Sequence, residues 1–261
     1  MEQFLRVAQH AAVTAGALLR EHVGGVREIS YKGAINLVTE MDHRAERTIV
    51  AIISAAFPDH GILSEEGACR ESSSEFLWMI DPLDGTTNYA HGYPNFAVSI
   101  GLAEREEMAV GVVYDPMRDE LYTAERSRGA FLNARPIRVS QSDRLIRSLL
   151  ATGFPYDRAE SDQNNLNFFN AMIMACQEIR RSGSAALDLC SVAAGRLDGY
   201  WELKLHPWDV AAGSLIVREA GGSVTDLSGG RSDVRDKEII ASNGIIHAQI
   251  LDVMNRVRYE D

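Results

Sequence analysis

The sequence predicts a mixed protein, an α+β first half running into an α/β second half, with helices packed against sheets. Three observations predict it. Apolar residues recur at helical spacing over about residues 2–22 and again over about 40–56. Short strand-like segments separated by turn formers fill about 61–132. From about residue 148 onward, strand-like and helix-like segments alternate.

The first helix places apolar residues at 4, 7, 8, 11, 15, 18 and 19 and ends at Gly24-Gly25. Residues 7–19 carry no formal charge, but Gln9, His10 and Thr14 interrupt them and no basic stretch precedes them. This predicts a cytosolic amphipathic helix, not a secretion signal. The second helix turns Met41, Ala45, Ile49, Ile52, Ile53 and Ala56 inward, with Thr39 and Asp42 spaced as a capping box and Phe57-Pro58 as its stop. Strands are expected at 61–64 (GILS) and 75–80 (EFLWMI), then at 95–103, 108–115, 120–124 and 129–132. The turns between the last four suit an antiparallel sheet. The second half reads as a strand at 148–153, helices at 161–177 and 184–195, a strand at 197–203 and a helix at 209–220. Strands at 223–226 and 238–242 and a helix at 245–257 complete it. One unit over 1–261 is expected, made of sub-domains at about 1–140 and 141–261 without a flexible linker.

The chain has 261 residues, enough to bury a sizeable core, with 46% hydrophobic and 24% charged residues. A net charge of −11 speaks against direct contact with nucleic acid or anionic membrane. No stretch is long and apolar enough to span a bilayer. Three scattered cysteines without a CxxC suggest a reducing compartment, neither a disulfide framework nor a zinc site.

The chemistry gathers at element ends. In WMIDPLDGTTN (78–88) an apolar strand runs into Asp81, and Asp84 follows three residues later. Either acid alone reads as part of a turn. Glu65-Glu66 follow GILS directly, and alone they read as a solvated pair. Asp42 and Asp209 each fit a helix start. What these readings leave unexplained is that every acid lies at an edge between element and loop. If the edges converge, the carboxylates share one cleft. Two like charges about 4 Å apart cost about 4 kcal/mol at an effective dielectric near 20, so the cluster stays ionised only with cations. An all-oxygen donor set favours Mg²⁺, Mn²⁺ or Ca²⁺ over zinc. Other chemistries fit less well. Dehalogenase-type phosphatases space their aspartates by two residues, where this chain has three. There is no P-loop and no GxSxG elbow, and His91 and His206 stand alone in the sequence.

DPLDGTTN (81–88) and WDVAAGSLIVREAGG (208–222) resemble the two signature motifs of the inositol monophosphatase family. NLVTEMD (36–42), FPDHGILSEEG (57–67) and RRSGSAALDLCSVAAGRLDGYWE (180–202) extend the resemblance over nearly the whole chain. YDPMRDELYTA and LATGFPY are especially similar to the bacterial SuhB-type members. The resemblance implies a layered α-β-α-β-α sandwich, the type shared with fructose-1,6-bisphosphatase, and a cytoplasmic homodimer. It implies a lithium-sensitive phosphomonoesterase that takes a small phosphate ester, myo-inositol monophosphate, with two to three Mg²⁺ ions, Mn²⁺ being a substitute. By the same resemblance Glu65, Asp81 and the Leu83 carbonyl hold one ion, and Asp81, Asp84 and Asp209 a second, with Glu65 reaching a third through waters. Asp42 and Thr86 activate water, with Glu66 in support. The Gly85 and Thr86 amides touch phosphate, and Asp84, Ala185, Glu202 and Asp209 meet the inositol ring. Lys32 matches a family lysine, but the loop to Asn36 is one residue shorter than in animal members and Asn36 replaces an acid. Runner-up substrates on this fold are fructose 1,6-bisphosphate, 3′-phosphoadenosine 5′-phosphate and histidinol phosphate. The SuhB likeness also implies proteins of the transcription machinery as partners. Arg126, Arg128, Arg135, Arg138, Arg180 and Arg181 are the arginines that could serve there, although the acidic balance favours a solvated surface.

Overall fold

The alanine-rich stripe of the first helix allows a neighbour to approach closely. Helix α1 (Glu2–His22) buries Ala8, Ala11, Ala12, Ala15 and Leu19, and it packs on α2 (Glu40–Ala56), which buries Met41, Ala45, Ile49 and Ile53. The short pair β1 (Ile29–Tyr31) and β2 (Leu37–Thr39) leads into α2. The structure, a computed structural model, describes residues 1–25, 29–31, 37–231, 233 and 235–258; Lys32 and Asn36 lie outside them.

Residues 61–136 form an eight-stranded sheet. Its strands are β3 (Gly61–Ser64), β4 (Cys69–Arg70), β5 (Phe76–Asp84), β6 (Ala97–Glu104), β7 (Glu107–Asp115), β8 (Glu120–Glu125), β9 (Ala130–Leu132) and β10 (Arg135–Pro136). The order is β10-β9-β8-β7-β6-β5-β3-β4, and β3 with β5 is its one parallel pair among the described residues. A short helix α3 (Thr86–Ala90) follows β5. The second sheet has the order β12-β11-β13-β15-β14, from β11 (Leu149–Thr152), β12 (Glu178–Arg180), β13 (Gly199–Leu203), β14 (Ser223–Thr225) and β15 (Glu238–Ser242). A 3-10 turn at Leu145–Arg147 and helices α4 (Leu166–Ala175), α5 (Ala185–Ala193), α6 (Pro207–Glu219) and α7 (His247–Arg258) complete the described elements.

Three apolar clusters separate five layers. The first joins α1 and α2 to one face of the large sheet through Trp78, Ile80, Val98, Ile100 and Val112. The second fills the space around α5 and α6, between Met79 and Val113 of one sheet and Tyr200 and Ala241 of the other. The third packs α4 and α7 through Phe168, Met172, Ile250 and Met254 on Leu150, Trp201 and Ile240. Neighbouring residues on one strand, Trp78 and Met79 or Tyr200 and Trp201, thus face different clusters, as the two-residue period of a strand requires. These sheets are covered on both faces, which is why their strands read as continuous apolar runs. The layering is the α-β-α-β-α sandwich that the resemblance implied.

Several boundaries differ from expectation. β5 does not stop at Ile80 but runs through Pro82 to Asp84, with its register against β6 shifting between Asp81 and Asp84. A proline cannot donate to the ladder, and a bulge is where a sheet tolerates it. The helix expected from 161 begins at Leu166. Asn165 is left-handed (φ 71°) and its side chain is committed to Thr152 and Gly153. Glu178–Arg180, which lies between the two expected helices and has no expected element of its own, is a strand. α6 begins at Pro207, two residues before Asp209, because proline is well suited to the first helical turn.

The middle layer depends on small residues. A Cβ on Gly111 would lie 2.7 Å from the Ala212 carbonyl oxygen, and one on Gly101 2.8 Å from the Ala211 Cβ. Neither backbone can retreat from a helix clamped between two sheets. Gly111→Ala is therefore expected to cost about 1–3 kcal/mol and to lower the Tm by several degrees. An unchanged Tm in a thermal melt would show that the layer tolerates expansion.

Candidate active site

The bulge in β5 is the starting point. With no amide hydrogen at Pro82, the strand turns locally, and the Leu83 amide donates to Asp81 Oδ1 at 3.0 Å. Asp81, Leu83 and Asp84 then line a cavity of about 420 Å³, together with Glu65, Gly85, Thr86, Ala185, Glu202 and Asp209. Glu65 arrives from the end of the parallel neighbour β3, where its amide donates to the Ile80 carbonyl at 3.1 Å. Asp84 is anchored across the layers: the Ser184 hydroxyl and the Ala186 amide, at the start of α5, donate to its Oδ2 at 2.5 and 2.7 Å. Asp209 is the third residue of α6, and its Oδ2 accepts from the His206 amide at 2.7 Å. The His206 ring stacks on Trp208 at 4.8 Å. Glu202 comes from the end of β13, where the Tyr200 hydroxyl donates to its Oε2 at 2.5 Å.

Asp42 stands behind this wall. Its Oδ2 accepts from the Thr39 amide at 2.8 Å and the Thr39 hydroxyl at 2.6 Å, forming the expected capping box. Its Oδ1 accepts from the Thr86 hydroxyl at 3.0 Å; the same hydroxyl lies 3.1 Å from the Leu83 carbonyl oxygen. Asp42 thus reaches the cavity through Thr86. Glu66 lies close enough to raise the Asp42 pKa, and its side chain is only 2% exposed, 3.9 Å from His43 Nδ1. The reading of Glu65-Glu66 as a solvated pair therefore fails for Glu66.

The electrostatics follow from burial. Burial pushes the Asp81 carboxyl well above its ordinary range, and the charges of Glu65, Asp84 and Asp209 push it further. Asp209 is raised in the same way, by burial and then by Glu65. Asp84 is raised by burial despite the donors from Ser184 and Ala186. Burial brings Asp42 up to about 6 against the pull of Thr39, and Glu202 to about 7 against Tyr200 and Arg181. All these groups resist ionisation unless positive charge joins them.

Among the described residues, no three His, Cys, Asp or Glu side chains already close around one point as ligands. The donor chemistry itself fits a hard divalent cation, being dominated by carboxylate oxygens with a backbone carbonyl beside them. Sequence reading missed Ser184 and Asp188 and counted Arg181, which lines the cavity, only among the arginines that could meet a partner protein. Ser184 stands in the sequence only as the first residue of the helix expected over 184–195, and in the structure it is the cap before α5. Asp188 is buried on α5, accepts from the Ser182 hydroxyl at 2.7 Å, and is raised by burial and then by Glu202 and Asp84.

A layered sandwich whose strand ends and helix starts carry converging carboxylates is the architecture of a metal-dependent phosphatase. A model of the inositol monophosphatase family matches residues 1–259, and the chain belongs to that family. It is 49% identical to an inositol-1-monophosphatase of Synechocystis, over 96% of this chain and 88% of the relative. It is 46% identical to the Nus factor SuhB of Pseudomonas aeruginosa, over 93% and 92% of the two chains. The crystal structure of the extragenic suppressor protein suhB from Bartonella henselae is 42% identical and superimposes with a TM-score of 0.93, covering 97% of this chain and 99% of that one.

An acid with a raised folded pKa binds its proton more tightly in the folded state than in the unfolded one. The stability it contributes is full below the unfolded value and is lost as the pH rises through the folded value. For Asp42 and Glu202 that window runs from about 4 to about 7. Cation-free protein is therefore expected to melt at lower temperature at pH 8 than at pH 5. Glu202→Gln should flatten that fall; the same slope in both proteins would contradict the assignment. His60 and His247, lowered by burial, act in the opposite sense and are common to both.

Proposed function

We propose that the protein hydrolyses myo-inositol monophosphate to inositol and phosphate by direct attack of water. The observation that carries this reading is the Thr86 hydroxyl on the cavity wall, bonded to a buried Asp42 beside a cluster of carboxylates. Glu65, Asp81 and the Leu83 carbonyl would hold one Mg²⁺, and Asp81, Asp84 and Asp209 a second. Glu65 would reach a third through waters, and Mn²⁺ would substitute. When bound, these ions supply Lewis-acid polarisation of the phosphoryl group and a lowered pKa for water.

The remaining chemistry belongs to the chain. Thr86 donates its proton to Asp42, so its oxygen lone pairs are left to accept a proton from the attacking water. Asp42, held near pKa 6, is a base matched to neutral pH and takes up that proton through Thr86. Glu66, buried nearby, keeps Asp42 basic. Gly85 and Thr86 open α3, so their amides have no partner within that helix and can receive phosphate oxygens. Gly85 is at φ 99°, and a Cβ there would lie 3.0 Å from the Asn95 carbonyl oxygen, so the turn needs glycine. Asp84, Ala185, Glu202 and Asp209 surround the space for a polyol.

The relatives named Nus factor SuhB support a second reading, in which the same chain also binds proteins of the transcription machinery. Direct RNA contact is disfavoured: Arg126 pairs with Glu104 and Glu107, Arg128 with Glu125 and Arg180 with Glu178.

Phosphate release from myo-inositol 1-phosphate should require Mg²⁺ and fall by at least about a thousandfold in Asp81→Asn. Wild-type turnover equal with and without the cation would sink the reading. Thr86→Ala should lower kcat by about a hundredfold or more, in the range of a lost proton-transfer group, with little change in KM. A change confined to KM would remove Thr86 from the proton path. Capture of transcription proteins by Asp81→Asn at the wild-type level would separate the second role from catalysis; no capture by either protein would remove it.

A further inference from the structure

We propose that Tyr200 and Gly153 are positioning residues that fix the Glu202 carboxylate for hydroxyl recognition, so that together they set selectivity for polyol phosphates over other monoesters. This rests on the reading of the cavity as a site for an inositol phosphate. Tyr200 and Glu202 are two residues apart on β13 and so share a face. The Tyr200 ring is wholly buried in the cluster between the sheets, and its hydroxyl donates to Glu202 Oε2 at 2.5 Å. On the other side, the Glu202 carboxylate occupies the space that a Cβ of Gly153 would take. Gly153 is itself fixed. Asn165 Nδ2 donates to its carbonyl at 2.6 Å and to Thr152 Oγ1 at 2.9 Å, while the Thr152 hydroxyl donates to the Trp201 carbonyl at 2.6 Å.

A glutamate at a cavity wall ordinarily has rotamer freedom that a ligand must remove on binding. Here the buried phenol and the bare glycine have already removed it. A carboxylate accepts hydrogen bonds from hydroxyl groups and repels phosphate, so a fixed Glu202 favours an esterified polyol whose hydroxyls reach it. An aryl phosphate, with no such hydroxyls, gains nothing from the arrangement. Neither Tyr200 nor Gly153 need touch the substrate.

The test compares myo-inositol 1-phosphate with p-nitrophenyl phosphate in wild type, Tyr200→Phe, Gly153→Ala and Glu202→Gln. Tyr200→Phe keeps the ring and its packing. It is expected to raise KM for the inositol ester about tenfold, the effect of one lost hydrogen bond to a charged group, with kcat within about twofold. KM for the aryl ester should stay within about twofold. Gly153→Ala should shift the same ratio by displacing the carboxylate. If Glu202→Gln raises KM for the inositol ester while Tyr200→Phe and Gly153→Ala leave it unchanged, the positioning role is overturned and the substrate reading stands. If Glu202→Gln does not change the preference between the two esters, the substrate reading of Glu202 fails and the inference fails with it. Equal losses on both esters with a lowered Tm would assign Tyr200 a packing role only and overturn the proposal.

Discussion

Like charge crowded into one cavity is the constraint on which the rest of the structure depends. Glu65, Asp81, Asp84, Glu202 and Asp209 share a wall, and several raise one another's pKa. Left on mobile side chains, they would turn away from each other toward solvent. The chain prevents this by tying carboxylates to donors at element ends: Asp81 to the Leu83 amide, Asp84 to Ser184 and Ala186, Asp209 to the His206 amide, and Asp42 to Thr39. Each anchor is a group that a strand bulge or a helix start leaves without a partner in its own element. The repulsion is thereby held in a fixed arrangement that protonation or bound positive charge relieves.

Those anchors can meet only if the layers approach closely. The bond from Ser184 to Asp84 joins residues 100 apart in sequence, from the middle helices to the large sheet. It forms because α6 presents Ala211 and Ala212 where larger residues would hold the layers apart, and because Gly101 and Gly111 answer from the sheet. Asn88 and Asn95 reinforce the junction, both donating to the Ser182 carbonyl, at 2.9 and 3.2 Å. The small-residue packing of the core and the geometry of the site are therefore one problem. Expanding the core at Gly111 would press on the same helix that carries Asp209 in its first turn.

Periodicity made α1, α2 and most strands of the large sheet legible, because each buries an apolar face with the period of its own secondary structure. The parts that stayed hidden depended on tertiary partners. β5 continues through Pro82 because β6 pairs with it on either side of the bulge, at Asp81 and Asp84, and Asp-Pro-Leu-Asp-Gly in isolation has every mark of a turn. α4 starts late because Asn165 spends its side chain on Thr152, Gly153 and Trp201, contacts that no local pattern announces. Glu178–Arg180 is a strand because β11 offers it an edge. At the site, the candidate acids were legible as residues at element edges, and the family motifs supplied the grouping. The burial of Glu66, and the part of Ser184 as the partner of Asp84, came only with the folded chain.

The sequence offered Asp42 and Asp209 a bland reading and a functional one, and the geometry is compatible with both at once. Each is the third residue of a helix whose preceding cap residue donates its amide to Oδ2. In Asp42 the cap occupies Oδ2, and Oδ1 receives the Thr86 hydroxyl. The two roles use different oxygens of one group, and the first orients the second. A carboxylate tied to a helix start by one oxygen has lost the rotation that would carry the other away from the cavity. Asp42 also stays buried beside Glu66, and that raises its affinity for a proton to the range where it can accept one from water near neutrality. In the proposed reaction, the cap that begins α2 is thus the interaction that would aim the base, while burial sets its proton affinity against the pull of Thr39.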